Sequence, residues 1–214
     1  MISLRIVGNE VSALGTAALA MPLRFLLRGQ PFDPHAPNPT PVVLVHGFLG
    51  DPTNFLALRS HLAARGIRNF VNFSYPPRLD YQRLACRLGQ TVEAVCLHTG
   101  ASQVDLVGHS LGGLIARYLT EMDGSRVRRV ATLGAPYFAT RIPPRELAVF
   151  GAYDPFIVPP HPIYGPHGRI VLVGDCGHWS LLYHPAVLEE VARFLSFPLG
   201  LVSRPRPPLA LQAS

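Results

Sequence analysis

From residue 41 onward, short unbroken runs of apolar, mostly β-branched residues alternate with longer stretches whose apolar positions recur every three or four residues. Pro41 to His46 is the first run of strand length. Others cover Ile67 to Phe73, Val104 to Val107, Val127 to Leu133, Glu146 to Gly151 and Arg169 to Val173. Helical spacing fills the intervals at Thr53 to Arg65 (stopped by Gly66), Tyr81 to His98, Leu111 to Leu119 and Pro185 to Leu195. Strands that are apolar on both faces must be covered on both faces, and strand–helix alternation joins parallel strands. The pattern therefore predicts an α/β fold: a doubly wound, mostly parallel sheet of about six strands with helices on both sides. No internal repeat interrupts it.

The flanks read differently. Val11 to Leu27 is apolar but broken by Pro22 and Arg24, too short and too interrupted for a firm transmembrane helix. Ala18-Leu19-Ala20 imitates a signal cleavage site and Arg5 a charged start, yet Glu10 abuts the apolar run. An amphipathic helix packed on the domain, or lying on a membrane, fits as well. The segment leaves localisation open between secreted, membrane-associated and cytoplasmic. Gln30 to Pro41 holds five prolines and reads as a linker. These features divide the chain into an N-terminal apolar helix and Pro-rich linker (1–40), a catalytic domain (41–197) and a Pro-rich flexible tail (198–214).

Composition narrows the function classes. A 214-residue chain with 48% hydrophobic and 15% charged residues suits one compact domain. The formal charge is +6, and all 19 basic residues are arginine. They are scattered, without the basic and aromatic interleaving of a nucleic-acid surface, so no nucleic-acid partner is expected. Mild attraction to an acidic membrane or lipid surface stays open. Cys86 and Cys96 point to different faces of one helix and Cys176 stands alone, so free thiols are expected. No Cys/His spacing suits a metal, and no cofactor is called for.

The chemistry concentrates at Gly108-His109-Ser110-Leu111-Gly112, which follows the strand Val104 to Val107 and opens a helix. A serine on a sharp strand-to-helix turn projects its hydroxyl outward, and near-naked glycines on either side permit the turn. The helix that begins beneath it aims free N–H groups at any oxyanion formed there. A serine hydroxyl needs a base, and the base needs a carboxylate to fix its tautomer. With a nucleophile elbow the partners follow in the order acid, then histidine, each in a loop after a later strand. His178 occupies such a loop; His161 and His167 precede the last strand, and His184 flanks the final helix. Asp154 ends the strand near Glu146 to Gly151 and is the expected acid, with Asp175 its rival. The oxyanion donors would be the N–H groups of Leu111 and of Phe48, the latter in His46-Gly47-Phe48-Leu49-Gly50, where His46 braces the loop. Leu49, Tyr137, Phe156, Ile157 and Trp179 are neighbours in sequence that would supply apolar, substrate-binding walls.

Together, Val45-His46-Gly47-Phe48, Val107 to Gly113, Thr132-Leu133-Gly134-Ala135-Pro136, Tyr153-Asp154 and Gly177-His178 resemble the α/β-hydrolase family. The chain looks most like its small lipases and esterases, the compact bacterial type without a lid. The resemblance covers about residues 41 to 196 and implies a Ser110–His178–Asp154 triad acting through an acyl-serine. Residues 134–145, where capped relatives insert a further domain, are too few for one. The reading is a lipase or carboxylesterase acting on lipophilic esters at an open site. The same triad could serve thioesters, polyesters or amides. A catalytically silent binding protein would retain the fold but show no effect of Ser110→Ala.

Overall fold

In the computed structural model, residues 4–27, 31–77, 79–138, 145–159 and 168–196 are described. Six strands form one sheet: β1 (Val42–Val45), β2 (Phe70–Phe73), β3 (Val104–His109), β4 (Val127–Leu133), β5 (Glu146–Gly151) and β6 (Arg169–Val173). Their order is β2-β1-β3-β4-β5-β6 and every neighbouring pair is parallel. Among the described residues five α-helices accompany them: α1 (Leu4–Ala20), α2 (Leu56–Ala63), α3 (Tyr81–Thr99), α4 (Leu111–Asp123) and α5 (Pro185–Ser196).

The two-residue period of each strand divides the core. Val42 and Leu44 of β1 face one layer, where Leu58 and Leu62 of α2 meet Val187, Val191 and Leu195 of α5. Val43 and Val45 face the opposite layer, with Leu84, Leu88 and Val92 of α3 and Ile115 and Leu119 of α4. The doubly wound parallel sheet expected from the alternation is what the chain forms. The order reverses between β1 and β3, because β2 lies to one side of β1 and all later strands to the other. A parallel sheet opens a crevice at the carboxyl ends of the strands where its order reverses. The loops after β1 and β3 flank that crevice.

Two local details differ from the sequence pattern. Strand β2 begins at Phe70 rather than Ile67; Ile67 forms an isolated parallel bridge with Asn38, and Asn69 ties the proline-rich segment down. Its side-chain amide donates to the carbonyls of Asp33 and Pro39, and its Oδ1 accepts from Asp33 N–H at 2.7 Å. The proline-rich segment is thus pinned to the sheet edge at Asn69. Helix α1 packs on the domain through Ile6 and Ala13, both buried, beside 3-10 segments at Pro52–Phe55 and Ser180–Leu182. Residues 139–144, 160–167 and 197–214 lie outside the described residues, and with them His161, His167, most of the short β4–β5 connection and the expected tail.

Leu106 is fully buried in β3, the strand that carries the candidate nucleophile. Leu106→Ala is expected to lower the unfolding free energy by about 2–5 kcal/mol in urea titrations, the range for truncating a core leucine.

Candidate active site

Strand β3 ends at His109 and α4 starts at Leu111, leaving Ser110 alone to make the turn. Its backbone sits at φ 53° and ψ −123°, a conformation that costs a non-glycine residue energy. The turn is tight because its neighbours press together. A Cβ on Gly108 would stand 2.5 Å from the Gly112 carbonyl, and one on Gly112 would stand 2.0 Å from the Val45 carbonyl oxygen. Only glycine fits at either position. The Ser110 N–H donates to the Leu133 carbonyl at 2.9 Å, tying the turn to the end of β4.

The loop after β6 brings His178 to this edge. Its Nδ1–H donates to Asp154 Oδ2 at 2.7 Å, with both side chains buried. That bond fixes the tautomer that leaves Nε2 with a lone pair. Asp154 lies just beyond β5, where its Oδ1 accepts from the N–H groups of Phe156 and Ile157 at 2.9 Å each. The carboxyl therefore shapes its own loop while orienting the histidine. His109 supplies a further tie. Its Nε2–H donates to the His178 carbonyl at 3.1 Å, and the two rings lie 4.7 Å apart. Burial, then the neighbouring His178, pushes His109 down to about 3, so it remains neutral and a donor.

The loop after β1 closes the other side. The closeness is visible at Gly47, where a Cβ would lie 3.0 Å from Ser110 Cβ and 3.1 Å from His109 Nδ1. A turn bond from Gly50 N–H to the Gly47 carbonyl and a left-handed Leu49 (φ 57°) shape this loop. His46 braces it: Nδ1–H donates to the Gly47 carbonyl at 2.9 Å, and the His46 carbonyl accepts from the Tyr75 hydroxyl. Burial lowers the His46 basicity, which suits a neutral brace.

A family model described as the alpha/beta hydrolase fold matches residues 40–162. The chain belongs to the α/β-hydrolase family. The matched span contains Ser110 and Asp154, with His178 beyond its end. The chain is 33% identical over 119 residues to a triacylglycerol lipase of Pseudarthrobacter phenanthrenivorans, covering 49% of this chain and 35% of that protein. A triacylglycerol lipase of Burkholderia plantarii matches at 33% over 119 residues, covering 49% of this chain and 32% of its own. Both matches span about a third of the relative's length. Among solved structures, naproxen esterase of Bacillus subtilis superposes with a TM-score of 0.56 at 18% identity, over 74% of this chain and 85% of that one.

The remaining candidates of this α/β hydrolase sort by environment. Asp175, the rival acid, accepts instead from His184 Nε2 at 3.0 Å and pairs with Arg5 at 3.6 Å, so it is engaged away from His178. Leu49 and Phe156 are largely exposed and Phe48 partly so. Phe156 and Trp179 rings each stand 5.3 Å from the His178 ring, edge to face. Tyr137 and Ile157 are half-buried. They pack against the buried pair Ala148 and Phe150, and the Tyr137 hydroxyl bonds Thr132 and Glu146 beneath the Arg117 guanidinium. The Tyr137 hydroxyl is thus tied to a buried carboxyl at the start of β5. The sequence reading passed over two contributors to the His178 loop. One is His109, written inside the serine motif itself. The other is Glu10, whose carboxylate accepts from the His178 N–H at 3.0 Å.

Burial raises the Glu146 carboxyl to about 7 from an ordinary 4.5. Such a group stabilises the fold most below pH 4.5, where both states are protonated, and progressively less as pH rises through 7. Glu146→Gln should therefore gain about 1–3 kcal/mol over the parent at pH 8, shrinking toward zero near pH 4, in urea titrations across that range.

Proposed function

We propose that the protein is a serine hydrolase that cleaves lipophilic carboxylic esters through an acyl-serine. The observation that carries this reading is the strained Ser110 at the β3–α4 turn, on the same sheet edge as the 2.7 Å His178–Asp154 pair. Ser110 Oγ attacks the ester carbonyl while His178 Nε2 takes its proton. Asp154 holds the imidazole in the competent tautomer and stabilises the cation it becomes. The N–H groups of Leu111 and Phe48 receive the oxyanion. His178 then protonates the departing alcohol, and water, activated by the same histidine, releases the acid.

The ester preference draws support from the two triacylglycerol lipases to which half of the chain is similar. Lipophilic substrates suit a mouth bordered by the exposed Phe48, Leu49 and Phe156. Leu111, Trp179 and the side chains of that mouth would contact the acyl chain, on a catalytic unit running from 41 to 197. Contact with a lipid surface is favoured by α1, whose outer face exposes Leu4, Val7, Val11 and Leu14.

Hydrolysis of p-nitrophenyl esters from acetate to palmitate tests the reading. Turnover should vanish to a similar residual level in Ser110→Ala and His178→Ala, since the two act as a unit. Asp154→Asn should keep an acceptor for Phe156 and Ile157 yet lose about 10³–10⁴-fold in kcat, because the wrong tautomer is favoured. Serine-independent turnover, or none at any chain length from folded protein, would reject ester hydrolysis at this site.

A further inference from the structure

The N-terminal helix reaches the candidate active site through one side chain. Glu10 projects from the inner face of α1, between the buried Ile6 and Ala13 at helical spacing. Its Oε2 accepts from the N–H groups of His178 at 3.0 Å and Trp179 at 2.9 Å, and its Oε1 from Ser180 N–H at 2.9 Å. Three consecutive backbone donors, beginning with the candidate base, thus end on one carboxylate. Charge-assisted bonds of this kind are about twice as strong as neutral ones. The fourth N–H of the loop, at Gly177, is satisfied by Ser180 Oγ at 2.9 Å.

Gly177 is shaped by the same contact, since a Cβ there would fall 2.6 Å from Glu10 Cδ. The absence of a side chain before His178 is thereby explained by a residue 167 positions earlier. Arg5, five residues before Glu10, pairs with Asp175 at 3.6 Å and adds a second tie to the same loop.

Leu4 to Phe25 is long and apolar enough to cross a membrane by length and composition. A segment acting only as an anchor has no use for a carboxylate directed at the loop of the base. Glu10 is the one acidic residue of α1. We propose that Glu10 is a positioning residue for His178, which makes α1 a working part of the active site. The inference rests on the assignment of His178 as the base. With Asp154 on the imidazole Nδ1, His109 on the carbonyl and Glu10 on the N–H, the residue is held from three sides.

The test uses the full chain with Glu10→Gln, which keeps the size and one acceptor, and Glu10→Ala, which keeps neither. Steady-state hydrolysis of p-nitrophenyl butyrate is measured beside amide hydrogen exchange of residues 177–182, with Ser110→Ala as the blank. A displaced base should lower kcat by about 10- to 100-fold in folded Glu10→Gln, with KM changed less than about threefold, and Glu10→Ala should be worse. Exchange at His178, Trp179 and Ser180 should accelerate in both. Gly15→Ala, on the same helix where an added Cβ meets nothing within 4 Å, should change neither readout. Parental kcat in folded Glu10→Gln and Glu10→Ala, or unaltered exchange at 178–180, overturns the proposal. If Glu10→Ala fails to fold, the isosteric Glu10→Gln still decides. If the parent shows no Ser110-dependent turnover, ester hydrolysis has failed as the function, and amide exchange, which needs no substrate, decides the Glu10 anchor separately.

Discussion

The arrangement depends on how closely the β3–α4 turn approaches β1. Gly112 lies so near the Val45 and His46 carbonyls that no side chain could intervene, and Gly108 lies equally near the first turn of α4. That contact pulls the helix against the sheet and leaves one residue to reverse direction, which forces Ser110 to a positive φ. Strain of this sort persists only where the surroundings over-determine it. Here they include the Leu133 carbonyl on Ser110 N–H and the buried β3 core beneath. The same contact brings the Gly47 loop against Ser110, so the turn and a source of N–H donors are set by one packing event.

The histidine loop is held differently. Cys176 and Leu181 anchor it in the core, and polar ties from three parts of the chain hold His178 between them. Asp154 comes from the end of β5, His109 from the end of β3 and Glu10 from α1. Burial keeps His109 uncharged, and a charged ring so close to His178 would oppose the imidazolium that the proposed mechanism requires. Tertiary ties spanning the whole chain make the loop's geometry a property of the folded domain rather than of local sequence.

Much of this was legible in the sequence because parallel strands buried on both faces leave unbroken apolar runs. Six such runs mark β1 to β6 to within a few residues, and the glycines around Ser110 mark the turn. The choice between Asp154 and Asp175 was less legible, since both stand in loops within reach of a histidine. The structure separates them by giving Asp175 its own partners, His184 and Arg5. The partner of Tyr137 was not legible, because sequence adjacency says nothing about a buried Glu146 that accepts from its hydroxyl. Glu10 registered only as an awkward charge beside an apolar run. Its use depends on a contact between residues 10 and 178, which no local pattern encodes.

The central claim is that strained Ser110 is a nucleophile activated by His178. The most direct measurement is reaction of the folded protein with a fluorophosphonate, followed by peptide mass spectrometry to locate the adduct. Stoichiometric phosphonylation of Ser110, abolished in His178→Ala, is the predicted result. An unlabelled folded protein, or an adduct on another serine, would contradict it.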